Sequence, residues 1–146
     1  MIWTLVLVGI VLAAVYAYKE YTRTNSDLLK VKAGIITSAT DLIKEYETDE
    51  TAANKKYLEK IVDITGNVKK MEKNDAGDYT IVLGDTLSMS SVRCTADSNH
   101  RKDAAIVKEN STITIRGKCE GFKKNELLGE NLGSDVEINR CVIIKK

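Results

Sequence analysis

The chain has no proline, one histidine, one tryptophan and one phenylalanine in 146 residues, and its three cysteines stand far apart. His100 lies in the polar run Asp97-Ser98-Asn99-His100-Arg101-Lys102. With no second histidine there are no clustered imidazole ligands and no clear partner for a cysteine nucleophile. Cys94, Cys119 and Cys141 show no CxxC spacing, which argues against a zinc site. The nine glycines form no phosphate-cradling loop. The absence of proline, of low-complexity tracts and of any repeat period excludes a Pro-rich linker, a collagen-like segment and a solenoid. Neither charge dominates either: 22 basic side chains face 21 acidic ones, a formal net charge of +1, too even for a generic polyanion binder. No catalytic residue, metal ligand or cofactor is expected, so the chain reads as something other than an enzyme.

What the sequence does have begins with MIWTLVLVGIVLAAVYAY, Met1 to Tyr18, a run without a charge. As a helix it would cover roughly 27 Å, close to the thickness of a bilayer core. Trp3 at one end and Tyr16, Tyr18 and Tyr21 at the other suit interfacial anchors. A single-pass transmembrane helix over residues 1–20 is the expectation. The rival is a signal peptide cleaved near Val15-Tyr16-Ala17, although the basic segment such peptides carry is missing. Lys19, Arg23, Lys30 and Lys32 all follow the run, and the positive-inside rule would place the remainder in the cytoplasm.

Residues 21–37 read as a spacer. Ser38 stands three before Asp41 in a capping arrangement, followed by Leu42, Ile43 and Tyr46 at helical spacing. Asp49 can cap a second short helix ending near Leu58. From residue 59 the period changes to two. Val62, Ile64, Gly66 and Val68 fall on one face, with Asp63, Thr65, Asn67 and Lys69 on a wet one. The turn Asn74-Asp75-Ala76-Gly77-Asp78 leads to a second strand with Tyr79, Ile81 and Leu83. A third strand is expected over Leu87–Thr95, a short helix around Ala104–Val107, a fourth strand over Thr112–Cys119 and a fifth over Val136–Ile144. The fold class is therefore mostly β with N-terminal helices. A five-stranded OB-fold barrel over residues 59–146 follows a helical lead-in over 38–58.

Certain stretches also carry a resemblance. Asp49 to Tyr57 (DETAANKKY), Val62 to Val68 (VDITGNV), Val92-Arg93-Cys94, Ile113 to Gly121 (ITIRGKCEG) and Cys141, in that order, resemble the bacterial tRNA_anti-like OB-fold family. The resemblance covers about residues 38–144 and implies an OB fold behind an N-terminal hydrophobic segment. It carries no residue-by-residue activity. Where a Gly-Asp turn would precede the fourth strand, this chain has Asn110-Ser111, and asparagine tolerates the same left-handed backbone.

OB folds that hold single strands use aromatic platforms in a basic groove. Here Phe122 is the one aromatic placed to stack, and Lys70, Lys73, Arg93, Lys118, Lys123 and Lys124 are the basic residues near it or near the loops. These residues form the candidate ligand surface, centred on 70–78 and 122–135. Acidic neighbours such as Glu72, Asp75, Asp78 and Glu120 dilute their charge. In the OB strand order Cys141 lies beside the strands carrying Cys94 and Cys119. A disulfide between Cys119 and Cys141 is the preferred pairing and Cys94 the alternative partner, which would put the domain on the extracytoplasmic side. Three reduced core thiols are the other reading. The function expected is a membrane-anchored binding module for a protein, peptide or small ligand. The alternative is a nucleic-acid-binding OB domain at the inner membrane face.

Overall fold

Two short side chains set the helical part of the fold. In the computed structural model, which describes residues 2–24, 27–127 and 130–145, Ser38 Oγ accepts the Asp41 amide at 3.0 Å and starts α2 (Ala39–Thr48). Asp49 Oδ1 accepts the Ala52 amide at 3.0 Å and starts α3 (Glu50–Tyr57). Each bond satisfies an amide that the first helical turn leaves without a carbonyl. Ala39, Leu42, Ile43 and Tyr46 then line one buried face of α2, and Ala53 and Tyr57 one of α3. That spacing is one side of a 3.6-residue period.

The chain divides into two units, one ending at Val31 and the other beginning at Lys32. The first contains α1 (Ile2–Thr24) and a 3₁₀ turn, Leu28–Lys30, capped by Asp27. Apolar side chains are exposed all around α1, from Trp3 through Val6, Leu7, Ile10 and Val11 to Val15. Among the described residues, however, no helix is long and apolar enough to cross a membrane. The uncharged stretch they include, Ile2 to Tyr18, rises roughly 25 Å, short of the ~30 Å hydrocarbon core. The helix then continues through Lys19, Glu20 and Arg23. A single-pass span over 1–20 therefore does not carry over from the sequence.

The second unit is built on one sheet. Its strands are β1 (Ile35–Ser38), β2 (Ile61–Lys73), β3 (Tyr79–Leu83), β4 (Ser91–Ala96), β5 (Thr112–Leu127) and β6 (Glu130–Ile144), with α4 (Arg101–Ala105) between β4 and β5. They lie in the order β1-β2-β3-β4-β6-β5, and β2 also pairs with β5, so strands β2 to β6 each have a neighbour on both edges. β1, in what reads from sequence as a spacer, pairs in parallel with β2, with Ile35 opposite Val62. The inward faces carry Val62, Ile64, Ile81, Leu83, Val92, Cys94, Ile115, Cys119, Val136 and Ile138, all buried. The helix α2 closes over this core through Leu42 and Tyr46. A polar tie holds it there: Glu47 Oε1 accepts the hydroxyls of Ser90 at 2.6 Å and Ser134 at 2.7 Å.

Several details depart from the sequence reading. The third strand starts at Ser91, leaving Leu87 and Met89 exposed in the preceding loop. The fourth and fifth strands run on into a hairpin arm, with Lys124 opposite Ser134 and Leu127 opposite Glu130. Residues 25, 26, 128 and 129, within the expected spacer and the second expected loop surface, lie outside the described residues. Asp63, placed on the wet side by alternation, is buried. Arg116 stands opposite it on β5 and donates to both its carboxylate oxygens, Nε at 2.6 Å and Nη2 at 2.8 Å. That hydrogen bonding raises the Arg116 pKa further. Asn110 takes the left-handed conformation expected of it, at φ 63°.

Candidate functional site

The outer side of β2, β3 and β4 is polar because their inward residues alternate with outward ones. Glu72 on β2 sits opposite Thr80, and Lys70 opposite Val82, which in turn faces Arg93 on β4. The Arg93 guanidinium meets Glu72 Oε2 at 2.6 Å, and Lys70 Nζ lies 3.3 Å from Glu72 Oε1. The Arg93 hydrogen bond holds the Glu72 carboxyl below the usual range. A carboxylate with a lowered pKa contributes its full stabilisation above the ordinary glutamate range and loses it as pH falls through the lowered value. Unfolding midpoints in urea between about pH 6 and about pH 3 are therefore expected to fall less steeply in Glu72→Gln than in the native chain. The difference should stay under about 1 kcal/mol, because the pair is one-third exposed.

Beside this face, where β4 ends, is a cleft of about 290 Å³. Thr95, Asp97, Ser98 and Arg101 form one wall, and Asn139 and Arg140 of β6 the other, with Asp78 at the rim. Arg101 Nη2 pairs with Asp78 Oδ1 at 2.5 Å, and Arg140 Nε lies 3.5 Å from Asp97 Oδ2. Asp97 is buried, and its other oxygen accepts the Asn99 amide at 2.9 Å. Arg140 has φ 54°, a conformation that costs a side-chain-bearing residue about 1–2 kcal/mol. Its amide donates to Asn139 Oδ1 at 2.7 Å, which holds that geometry. The cleft therefore presents two arginines and two aspartates in pairs, a surface suited to a ligand that carries both signs of charge.

The residues expected to form one ligand surface do not lie together. Lys70 and Arg93 share the outer face, whereas Lys73, opposite Tyr79 at the end of β2, has the parity of the inward Met71–Ile81 pair, with its Nζ 5.4 Å from the centre of the Tyr79 ring. Lys118 pairs with Glu59 at the start of β2. Lys123 and Lys124 lie on the hairpin arm opposite Asp135 and Ser134. Phe122 is not a free stacking platform: it is half-buried, with its ring parallel to that of Tyr46 within 8° and centred 5.3 Å away. His100 is half-buried, its Nδ1 3.7 Å from Asp103 Oδ2. No cluster of histidine, cysteine and acidic side chains able to hold a metal occurs among the described residues.

All three cysteines are buried free thiols. The structure has no sulfur–sulfur bond in the preferred Cys119–Cys141 pair, and Cys119 Sγ faces Tyr46 Oη at 3.4 Å. Cys141 Sγ turns back to the Ile138 carbonyl at 3.5 Å, on the side of Cys94. Burial raises the pKa of both Cys119 and Cys141, so neither is a ready nucleophile. The cleft residues that sequence reasoning missed are Asp97, Arg101 and Arg140. Only Arg140 left a signal, in the spacing of Ile138 and Cys141: two core residues three apart on one strand require a bulge, and Arg140 lies in it.

The strand order β2-β3-β4-β6-β5, with a helix between the third and fourth strands of the set, defines an OB-like fold. The chain belongs to the tRNA_anti-like family, whose model matches residues 1–131. No curated protein matches it. Among solved structures it is similar to a protein of Klebsiella pneumoniae named, provisionally, a nucleic acid-binding lipoprotein. The two are 16% identical, the match covers 75% of this chain and 91% of that one, and the TM-score is 0.53. Weaker likenesses are to an OBody bound to hen egg-white lysozyme (16% identity, 59% of this chain and 96% of that one, TM-score 0.36) and to a protein of Leishmania major provisionally named an aspartyl-tRNA synthetase (12%, 87% and 25%, 0.45).

Proposed function

We propose that the chain is a non-catalytic binding module held at a membrane by α1, and that it takes a protein or peptide segment of mixed charge on the outer face of β2–β4 and in the adjoining cleft. The observation that carries this reading is the paired arrangement of Arg101 with Asp78 and Arg140 with Asp97 around one cleft. A ligand carrying both charges can replace each internal partner with an external one, so no buried charge is left alone. Attachment rests on the part of α1 up to Tyr18, which carries no charge and exposes apolar side chains such as Trp3, Leu7, Val11 and Val15, surface that favours a core or lipid over water. A polyanionic single strand would meet Glu72, Asp78 and Asp97 together with the arginines and would find Phe122 already covered by Tyr46.

The experiment uses the full chain in lipid nanodiscs, probed with an array of peptides of varied charge pattern and with labelled single-stranded RNA and DNA. The expected result is retention of mixed-charge peptides at about 150 mM salt and loss of that retention in Arg101→Glu, with no oligonucleotide shift. The second reading, a nucleic-acid-binding module, is favoured by the name of the Klebsiella relative. Oligonucleotide binding that weakens steeply as salt rises from about 50 to about 200 mM would put it in place of the first.

A further inference from the structure

Two strands that need a fastening carry the means for one. β4 and β6 pair in parallel, and their register slips between Cys94 and Ala96, where Cys94 faces Ile138 but Ala96 faces Cys141. At that slip the left-handed Arg140 backbone inserts an extra residue, which returns Cys141 to the interior, 3% exposed, on the same side as Ile138. Its Sγ reaches back to the carbonyl of Ile138, the residue that faces Cys94, at 3.5 Å, and the neighbouring Cys94 thiol adds to burial in raising its pKa. Gly117 of β5 leaves room for this: a Cβ there would stand 2.9 Å from Cys141 Sγ. Cys119 has a different partner, the Tyr46 hydroxyl.

From this juxtaposition we infer that Cys94 and Cys141, and not Cys119, form a structural disulfide across the slipped β4–β6 pairing when the chain folds in an oxidising compartment. The oxidant is a disulfide-bearing protein or small molecule. One cysteine thiolate attacks its S–S bond to give a mixed disulfide and release one thiol. The second thiolate then displaces the other half, so two protons and two electrons leave the cysteine pair and the oxidant's disulfide becomes two thiols. The exchange takes place before the sheet closes, since the closed core buries both sulfurs and raises the Cys141 pKa. Once made, the bridge ties the two strands at the slip and fixes the backbone on which Arg140 reaches the cleft.

The test is to quench the full-length protein with acid as it is isolated from its membranes, alkylate it under denaturing conditions, and map the cysteine peptides by mass spectrometry. The expected result is a Cys94–Cys141 peptide pair about 2 Da lighter than the sum of its reduced halves, with Cys119 alone alkylated. Cys119→Ser should keep the bridge. Three alkylated cysteines, or a bridge that contains Cys119, would overturn the proposal. The wild-type map decides the matter even if a variant does not accumulate.

Discussion

Tyr46→Ala is expected to lower the unfolding free energy by about 4 kcal/mol, read as a shift of the urea midpoint without a change of slope. Tyr46 is 1% exposed on the buried face of α2, where it joins the lead-in helices to the sheet. Its ring stacks on Phe122 of β5 at 5.3 Å and tilts against Tyr57 of α3 at 6.1 Å, while its hydroxyl meets Cys119 Sγ at 3.4 Å. Truncation removes a side chain that α3 and β5 pack against, and the hydrogen-bonded backbone of the sheet cannot collapse to fill the space. Tyr46→Phe separates the terms, because it keeps the ring and loses only the hydroxyl contact, for about 1 kcal/mol. Burial raises the phenol pKa above its ordinary value. The native chain should therefore keep this contribution below about pH 10 and lose stability as pH rises beyond it, and Tyr46→Phe should remove that slope.

Tyr46 also shows what the sequence made legible and what it did not. Its place on α2 follows from the Ser38 cap and the helical spacing of Leu42, Ile43 and Tyr46, because a cap and a periodicity are local properties. The strand order was readable for the same reason, since Val62-Ile64 and Ile81-Leu83 alternate over stretches that bury one face. The stack with Phe122 was not readable. Both residues advertise an aromatic surface, and only the packing of α2 against β5 shows that they cover each other rather than a ligand. β1 escaped notice because four residues pairing in parallel with a strand far along the chain leave no pattern of their own. The hairpin arm of β5 and β6 escaped because Lys123, Lys124 and Glu126 are all exposed, with no alternation to mark a strand.

The cleft was hidden by a subtler effect. Strict alternation assigns Ile138 and Cys141 to opposite faces, so one of them should have been exposed; both are buried. The bulge at Arg140 resolves the conflict, and it also gives the cleft its second arginine and turns Cys141 inward opposite Ala96, two residues from Cys94. Asp63 shows the opposite failure. Alternation put it outside correctly, but Arg116 opposite it takes both carboxylate oxygens and shields them from water. A wet face in a two-residue period marks which side a residue lies on, not whether water reaches it.

Gly117→Ala should be the other severe change, lowering stability by about 3 kcal/mol where an added methyl usually stabilises by reducing the freedom of the unfolded chain. Gly117 has no left-handed backbone to excuse it, so the cost is steric. A Cβ would stand 2.4 Å from Ile138 Cγ2, 2.9 Å from Cys141 Sγ and 3.1 Å from the Asn139 carbonyl, all on β6. Two of these contacts are a branched side chain and a backbone oxygen held in the β5–β6 pairing, so the strands must part locally or the methyl must go elsewhere. Gly77→Ala is the control, because its φ of 84° carries strain but its surroundings are open. It should cost about 1–2 kcal/mol, less than Gly117→Ala. Moving the branch point relieves part of the clash, since leucine has no methyl at the Cγ2 position. The double variant Gly117→Ala, Ile138→Leu should therefore recover about 1 kcal/mol of the loss. A double variant no more stable than Gly117→Ala alone would mean that the backbone carbonyl and the Cys141 sulfur, rather than Ile138, set the limit on what β5 can carry at this point.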